Sequence, residues 1–327
     1  MKLFLYCFRS FDETPYYDAL SSAHGYEYGQ TAEYPSLDNA HLAAGADAIS
    51  ATVCELPRPL LERWHELGVK SLVTRSIGFD HIDLEYCRHL GLHVAHVAYP
   101  PETVAEYTMM LMLMSLRRIR QTMERAAVQD YTLRGKIGKD LCESTVGIIG
   151  TGRIGSAVAV RLAAFGARIL CYDPFPNPAL AGIAEYVPLE TLLSSCNVIT
   201  LHVPATAENH HLIGKEAFSL MQSGTILVNT ARGTLVDTEA LINALVCGRL
   251  GGASLDVIED EYGLYYLNRV GDCLPNRQLA LLRSLPNVIL TPHTAFYSER
   301  VVRSMAEQVT ACMEDIIQDR PNPLILF

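Results

Sequence analysis

The sequence predicts an α/β protein made of two doubly wound parallel sheets in series. Short apolar runs alternate with helix-length amphipathic segments from end to end, the rhythm of parallel strands joined by crossover helices. The rhythm restarts near residue 145. With 327 residues the chain also exceeds what one ordinary core organises, so two domains are expected.

In the first hundred residues the strand candidates are KLFLYC, YEYGQT, DAIS, KSLVTR and HVAHVA, each followed by polar or helix-forming sequence. They predict a small flavodoxin-like unit. Residues 101–128, PETVAEYTMMLMLMSLRRIRQTMERAAV, read as one long helix: proline stands near its start, Glu102 and Glu106 in its early turns, and Arg117, Arg118 and Arg120 later. That charge order suits the helix dipole. Its methionine and leucine content predicts burial nearly all round, either in the intramolecular core or shared between subunits of a homodimer. The second series of strands is TVGIIGTG, RILCYD, NVITLHVP, GTILVNTAR, GGASLDV and NVILTPH. A final helix, SERVVRSMAEQVTACMEDIIQ, runs to about residue 318 and is expected to return to the first unit. The predicted domains are therefore 1–98 with 296–327, and 99–295, with a cleft between two hinges.

Composition narrows the function. A chain that is 49% hydrophobic and 19% charged is globular, not disordered. A formal net charge of -10 disfavours nucleic acid and anionic membranes and points to a small-molecule partner. The nine cysteines are scattered, odd in number and never in a C-x-x-C pair, the pattern of reduced intracellular thiols. The N-terminus turns polar too early for a signal segment, and no apolar run reaches the ~18 residues of a bilayer span. The cytoplasm is the expected location.

The most specific stretch is TVGIIGTGRIGSAVAVRLAAFGARILCYDP. Gly150, Gly152 and Gly155 form G-x-G-x-x-G between a strand and an amphipathic helix, and that context turns a weak motif into a dinucleotide fingerprint. The first glycine permits the tight turn, the second admits the pyrophosphate, the third lets helix and strand pack, and the helix N-terminus offers N–H donors. Asp173 ends the next strand, 23 residues after Gly150, where a carboxylate accepts from ribose hydroxyls and repels a 2′-phosphate. The unit is thus predicted to be a Rossmann domain that binds NAD in preference to NADP. Arg153, inside the loop, is read as facing the pyrophosphate.

Farther on, VNTARGTLVD, LDVIEDE and TPHTAF each fall at the C-terminal edge of a predicted strand, the edge where doubly wound folds bind ligands. Arg232, Glu261 and His293 are the residue types that 2-keto acid chemistry asks for. An arginine forks onto a carboxylate. A histidine gives a proton to the carbonyl oxygen as hydride arrives, and a carboxylate beside it fixes the ring. Singly, each has a plainer reading: a surface ion pair, one acid among several in EDEY, a histidine where a strand meets its loop.

At these residues the chain resembles the D-isomer-specific 2-hydroxyacid dehydrogenases, in particular the D-lactate dehydrogenase branch, including its vancomycin-resistance type. The resemblance runs from TRSIGFDHIDLEYCRHLG through GIIGTGRIG, LHVPATAENHHLI, VNTARGTLVDTEAL and GGASLDVIEDE to LPNVILTPHTAFYSE. It implies Arg232, Glu261 and His293 as the catalytic residues. It also implies cofactor contacts at Arg153, Ile154, Asp173, Val203, Pro204, Asn209, Thr230, Ala231 and Asp256. The substrate carboxylate is implied to meet the N–H groups of Ile77 and Gly78, with Tyr99 lining the pocket. The sequence departs from the family pattern at Pro100, where a serine commonly follows the tyrosine. EDEYGLYYLNRVGDCLPNRQ and HTAF, in place of a proline-rich stretch and HIGS, lean toward D-lactate dehydrogenase.

The implied reaction is reduction of pyruvate to D-lactate with NADH. A larger 2-keto acid such as 2-ketoisocaproate or phenylpyruvate is the alternative, because Phe79, Tyr99, Phe296 and Tyr297 either narrow the pocket or flank a longer side chain. A non-catalytic NAD-sensing scaffold is the alternative of another class. No metal is expected. His89, His93 and His96 have a metal-like spacing, but the Gly91 break and the β-like LHVAHVA predict a strand, on which His93 and His96 fall on opposite faces. His210 and His211 are adjacent, their side chains are expected to diverge, and no third ligand is in view. Cys247 and Cys273 read as inert packing.

Overall fold

The computed structural model describes residues 1–274 and 276–327. The chain divides into two compact units, Met1–Pro100 with Tyr297–Phe327, and Pro101–Phe296.

The first unit holds strands β1 (Lys2–Leu5), β2 (Glu27–Gln30), β3 (Ala48–Ala51), β4 (Ser71–Thr74) and β5 (His93–His96). All pair in parallel, in the order β2-β1-β3-β4-β5, which is the flavodoxin-like winding. Helices α1 (Thr14–His24), α2 (Arg58–Glu66) and α3 (Leu84–Leu90) supply the crossovers. Glycines in the left-handed region end α1 and α3, at Gly25 and Gly91. One face of the sheet buries Ile49 and Leu72 against Leu60, Leu61 and Trp64 of α2.

The second unit opens with helices α4 (Pro101–Leu116) and α5 (Ile119–Ala127). Its strands are β6 (Thr145–Ile149), β7 (Arg168–Tyr172), β8 (Glu185–Tyr186), β9 (Val198–Leu201), β10 (Thr225–Asn229), β11 (Leu250–Leu255) and β12 (Val288–Leu290). The order β12-β11-β10-β9-β6-β7-β8 is parallel throughout, the Rossmann winding extended by one strand. Strand alternation sends Ile148, Val198 and Val228 to one face, under α4 and α6 (Arg153–Ala164). Ile149, Ile199 and Leu227 go to the other, under α7 (Leu189–Ser195), α8 (Lys215–Leu220), α9 (Thr238–Val246) and α10 (Arg277–Ser284). Burial on both faces explains why these strands read as continuous apolar runs. The last helix, α11 (Glu299–Ile317), is capped by Ser298 and packs on α1 and β4 of the first unit.

The single helix expected over 101–128 is two. Arg118 breaks it by entering the left-handed region at φ 51°, an uncommon state for a non-glycine residue. The turn lets Arg118 donate to the Gly135 carbonyl at 3.1 Å, and Arg120 donate to the carbonyls of Arg283 and Leu285, at 2.9 and 3.0 Å, and of Val288. Burial all round holds for neither helix: Met110 of α4 is exposed, and no residue of α5 is fully buried. Among the described residues no helix is long and apolar enough to cross a membrane.

Candidate active site

The glycine loop lies between β6 and α6. Gly150 takes φ 95°, and a Cβ there would sit 2.7 Å from the His202 backbone. A Cβ on Gly155 would come within 2.0 Å of the Gly150 carbonyl oxygen, so helix and loop touch backbone to backbone. Gly152 differs: a Cβ there meets nothing within 4 Å, and the residue caps the start of α6. Two glycines thus close the turn while the middle one leaves its outer side open at a helix N-terminus, the shape a pyrophosphate requires. Asp173, one residue past β7, braces this loop. Its Oδ2 accepts from the Thr151 N–H at 2.6 Å and hydroxyl at 3.1 Å, and its Oδ1 accepts from the Phe175 N–H at 2.8 Å.

Other predicted cofactor residues surround the same edge of the sheet. Arg153 and Ile154 open α6, with Arg153 exposed. Val203 and Pro204 follow β9, and Asn209 ties that loop by accepting from Thr206 N–H at 2.8 Å and donating to the Pro204 carbonyl at 2.7 Å. Thr230 and Ala231 follow β10; the Thr230 hydroxyl meets that of Thr108 at 2.9 Å, and Ala231 N–H donates to Asn229 at 3.0 Å. His202 lies beneath the glycine loop, and no motif in the sequence marks it. Burial pushes its imidazole down to about 3, so the ring is neutral, and its Nε2 lies 3.0 Å from the Thr200 hydroxyl.

Strands β10, β11 and β12 are neighbours, and Arg232, Glu261 and His293, the residues expected to carry the chemistry, follow their C-terminal ends. His293 lies three residues past β12 with φ 53°. Its N–H donates to the Asp256 carbonyl at 2.7 Å, and its Nδ1 lies 2.6 Å from Glu261 Oε1. The other oxygen of Glu261 accepts from Ile258 N–H at 3.2 Å. Imidazole and carboxylate are 17% and 16% exposed, shielded enough for their pairing to matter yet open to a small ligand.

The Asp256 carboxylate, fully buried, pins the histidine turn. It accepts from the Thr291 hydroxyl at 2.5 Å and from the Thr294 and Ala295 N–H groups at 2.9 and 2.8 Å. Burial pushes its carboxyl above the usual range, opposed by these three donors and by His293. The sequence gives no hint of these bonds, which span 35 to 39 residues. Tyr266 closes the other side: its hydroxyl donates to the His293 carbonyl at 2.8 Å, and its ring and that of Phe296 stand 6.2 and 6.3 Å from the imidazole.

The Arg232 backbone adjoins this cluster. It lies three residues past β10, its carbonyl accepts from Asn229 at 2.8 Å, and its Nη1 donates to the Ala231 carbonyl at 2.9 Å. The next residue, Gly233, runs against the loop of Glu261: a Cβ there would stand 2.1 Å from the Ile258 carbonyl. Glu261 and His293 are therefore in direct contact, and the Arg232 segment is packed on the residue that donates to Glu261.

In the first unit, Ile77 and Gly78 follow β4. The Ser76 hydroxyl donates to the Gly78 carbonyl at 2.6 Å and lies 2.7 Å from that of Thr74. Arg75, another residue the sequence did not single out, is buried directly before this loop. It donates to the carbonyls of Tyr6, Cys7 and Ser50 at 2.7 to 3.2 Å and faces Glu13 at 3.3 Å. A buried guanidinium with that many acceptors is a fixed post, and removing one partner of such a pair is costly. Tyr99 is half-buried near the end of the unit's first segment.

The pair His210 and His211 departs from expectation. Their rings do not diverge but stack, with centroids 3.9 Å apart, because His211 enters the left-handed region at φ 54°. A third group is also present: His211 Nε2 lies 2.7 Å from Glu259 Oε1.

The NAD binding domain of the D-isomer specific 2-hydroxyacid dehydrogenases matches residues 109–295 of this chain. A D-specific alpha-keto acid dehydrogenase of Enterococcus faecalis is 44% identical over 274 residues, 84% of each chain. An aromatic 2-oxoacid reductase of Clostridium sporogenes is 38% identical over 312 residues, 94% of this chain and 93% of that one. The structure of D-lactate dehydrogenase from Escherichia coli superposes over the full length of both chains with a TM-score of 0.88 at 33% identity.

Proposed function

The chain belongs to the D-isomer specific 2-hydroxyacid dehydrogenase family, and from that premise we propose that it reduces pyruvate to D-lactate with NADH, using Arg232, Glu261 and His293. The observation that carries this reading is the 2.6 Å contact between His293 Nδ1 and Glu261, in the same unit as the dinucleotide loop.

Bound NADH supplies the hydride that reaches the keto carbon. The protein's own residues do the rest. Glu261 holds the Nδ1 proton and compensates the charge of the imidazolium, which leaves Nε2 to donate to the carbonyl oxygen as it gains negative charge. Arg232 is assigned to the substrate carboxylate, where its fork fixes the acid and polarises the adjacent carbonyl. Asp256 and Tyr266 hold the backbone on either side of His293, so the ring needs no reorganisation when the substrate arrives. The N–H groups of Ile77 and Gly78 are assigned to the carboxylate as well, with Tyr99 beside the substrate; Gly78→Ala should raise the Michaelis constant for the keto acid and leave NADH affinity unchanged. Cofactor binding and the proton donor are thus assigned to the second unit, and the carboxylate to Arg232 of that unit and to the Ile77 and Gly78 N–H groups of the first.

The experiment is NADH oxidation with pyruvate, 2-ketobutyrate, 2-ketoisocaproate and phenylpyruvate. The highest specificity constant is expected for pyruvate. A second reading, an aromatic 2-keto acid, is favoured by the Tyr266 and Phe296 rings that flank the imidazole, and phenylpyruvate as the best substrate would establish it. No oxidation with any keto acid would leave an NAD-sensing scaffold.

The location assigned is the cytoplasm, a reading that nine free thiols support and that cell fractionation checks. We assign a homodimer as well, a reading supported by apolar side chains left open at Met123, Tyr131 and Leu133, 65 to 86% exposed. Light scattering at monomer mass would refute it.

A further inference from the structure

We propose that His210, His211 and Glu259 form a binding site for a divalent transition-metal ion of the zinc type, separate from the acid–base residues. Among the described residues this is the group whose ligand atoms converge: one nitrogen from each imidazole and one carboxylate oxygen, all within 4.8 Å of one another. Two features of the backbone create it. The left-handed conformation of His211, held by its N–H donating to the Thr234 carbonyl at 2.9 Å, turns two consecutive side chains to the same side. Glu259 is fixed from behind, since its Oε2 accepts from both the N–H and the hydroxyl of Thr238 at 2.9 and 2.6 Å. Its Oε1 is thereby presented to His211 Nε2 at 2.7 Å.

In that contact one proton is shared between nitrogen and oxygen. A metal ion takes the proton's place, because imidazole nitrogen and carboxylate oxygen each bind zinc at about 2.0–2.2 Å and a bound ion requires the deprotonated ligands. Ligands at that radius in a tetrahedron lie roughly 3.4 Å apart. The shortfall from 4.8 Å falls on His210, whose side chain is exposed and free to swing. Two imidazoles and a carboxylate suit zinc, nickel or copper over magnesium or calcium. The fourth position opens to water on the His210 side. An ion held there ties the loop after β9 to the loop after β11, two residues before Glu261.

The full-length protein, stripped with a chelator, is titrated with Zn2+ alone by isothermal titration calorimetry. One ion per chain is expected, with His210→Ala and Glu259→Gln each weakening binding at least tenfold and His41→Ala, an exposed histidine on the first unit, leaving it unchanged. Co2+ in place of Zn2+ should give visible absorption that His210→Ala abolishes. Binding that is not saturable at one ion per chain, or that persists undiminished in His210→Ala, overturns the proposal. His210 is exposed, so that variant folds even if Glu259→Gln does not, and neither readout depends on dehydrogenase activity.

Discussion

Asp256→Asn isolates the device that holds His293, the histidine assigned to proton transfer. Asparagine keeps the shape but loses the charge and turns one acceptor into a donor. If its oxygen takes the Oδ1 position, the bonds from the Thr291 hydroxyl and the Thr294 N–H survive as neutral ones. Each drops from the ~1.5–3 kcal/mol of a charged acceptor to ~0.5–1.5 kcal/mol, about 2 kcal/mol together. The Ala295 N–H then faces an N–H and goes unpaired in a buried site, which costs about 1–3 kcal/mol more. Relief from burying a charge offsets part of this, since burial pushes the Asp256 carboxyl up.

The net destabilisation is about 2 kcal/mol at neutral pH, concentrated in the turn that carries His293. If half or more of that falls on the competent turn, the specificity constant drops roughly 5- to 30-fold. A group whose pKa is raised on folding stabilises below its unfolded value, and that contribution is lost as pH rises through the folded value. Wild-type stability therefore declines from about pH 4 upward through this group, the variant lacks the decline, and the gap between them narrows toward neutrality. Urea unfolding at pH 4.5 and 7, beside steady-state kinetics, reads both effects. Equal stability and equal turnover in Asp256→Asn, or a milder effect from Asp256→Ala, would refute the reasoning.

Three more perturbations test other parts of the site. Arg232→Lys keeps the charge and loses the fork, so the Michaelis constant for the keto acid should rise and turnover fall; an unchanged specificity constant removes Arg232 from the reaction. Asp173→Ser should relax the preference for NAD over NADP and also weaken NAD itself, because Thr151 loses its brace; continued strong rejection of NADP assigns selectivity to another group. His202 is neutral in the fold, with its imidazole near 3, and is protonated below about pH 6.5 when unfolded, so it lowers stability as pH falls between those values. The slope is at most about 1.4 kcal/mol per pH unit, the limit for one proton, and partial exposure of the ring lowers it. His202→Gln should flatten it, and parallel stability curves would rule His202 out.

Local features were legible in the sequence and long-range ones were not. The glycine loop could be read because its turn, cap and packing contacts fall within a few residues. The long strands could be read because burial on both faces leaves unbroken apolar runs. The two-residue strand β8 carries no such run, and the helix break at Arg118 has neither glycine nor proline to mark it; carbonyls more than 160 residues away decide it. The segment EDE shows the limit most clearly. Glu261 was singled out by resemblance and does face His293, but nothing local separates it from Glu259, which turns instead to Thr238 and His211, 21 and 48 residues away. The stacked His210–His211 pair failed for the same reason: the usual divergence of neighbouring side chains assumes an ordinary φ.

The most direct test of the acid–base assignment is His293→Ala, followed by NADH binding and single-turnover reduction of pyruvate. Loss of a positioned general acid predicts a fall in the chemical step of about 10²–10⁴-fold, with NADH affinity largely intact. Turnover near that of the wild type would contradict the account.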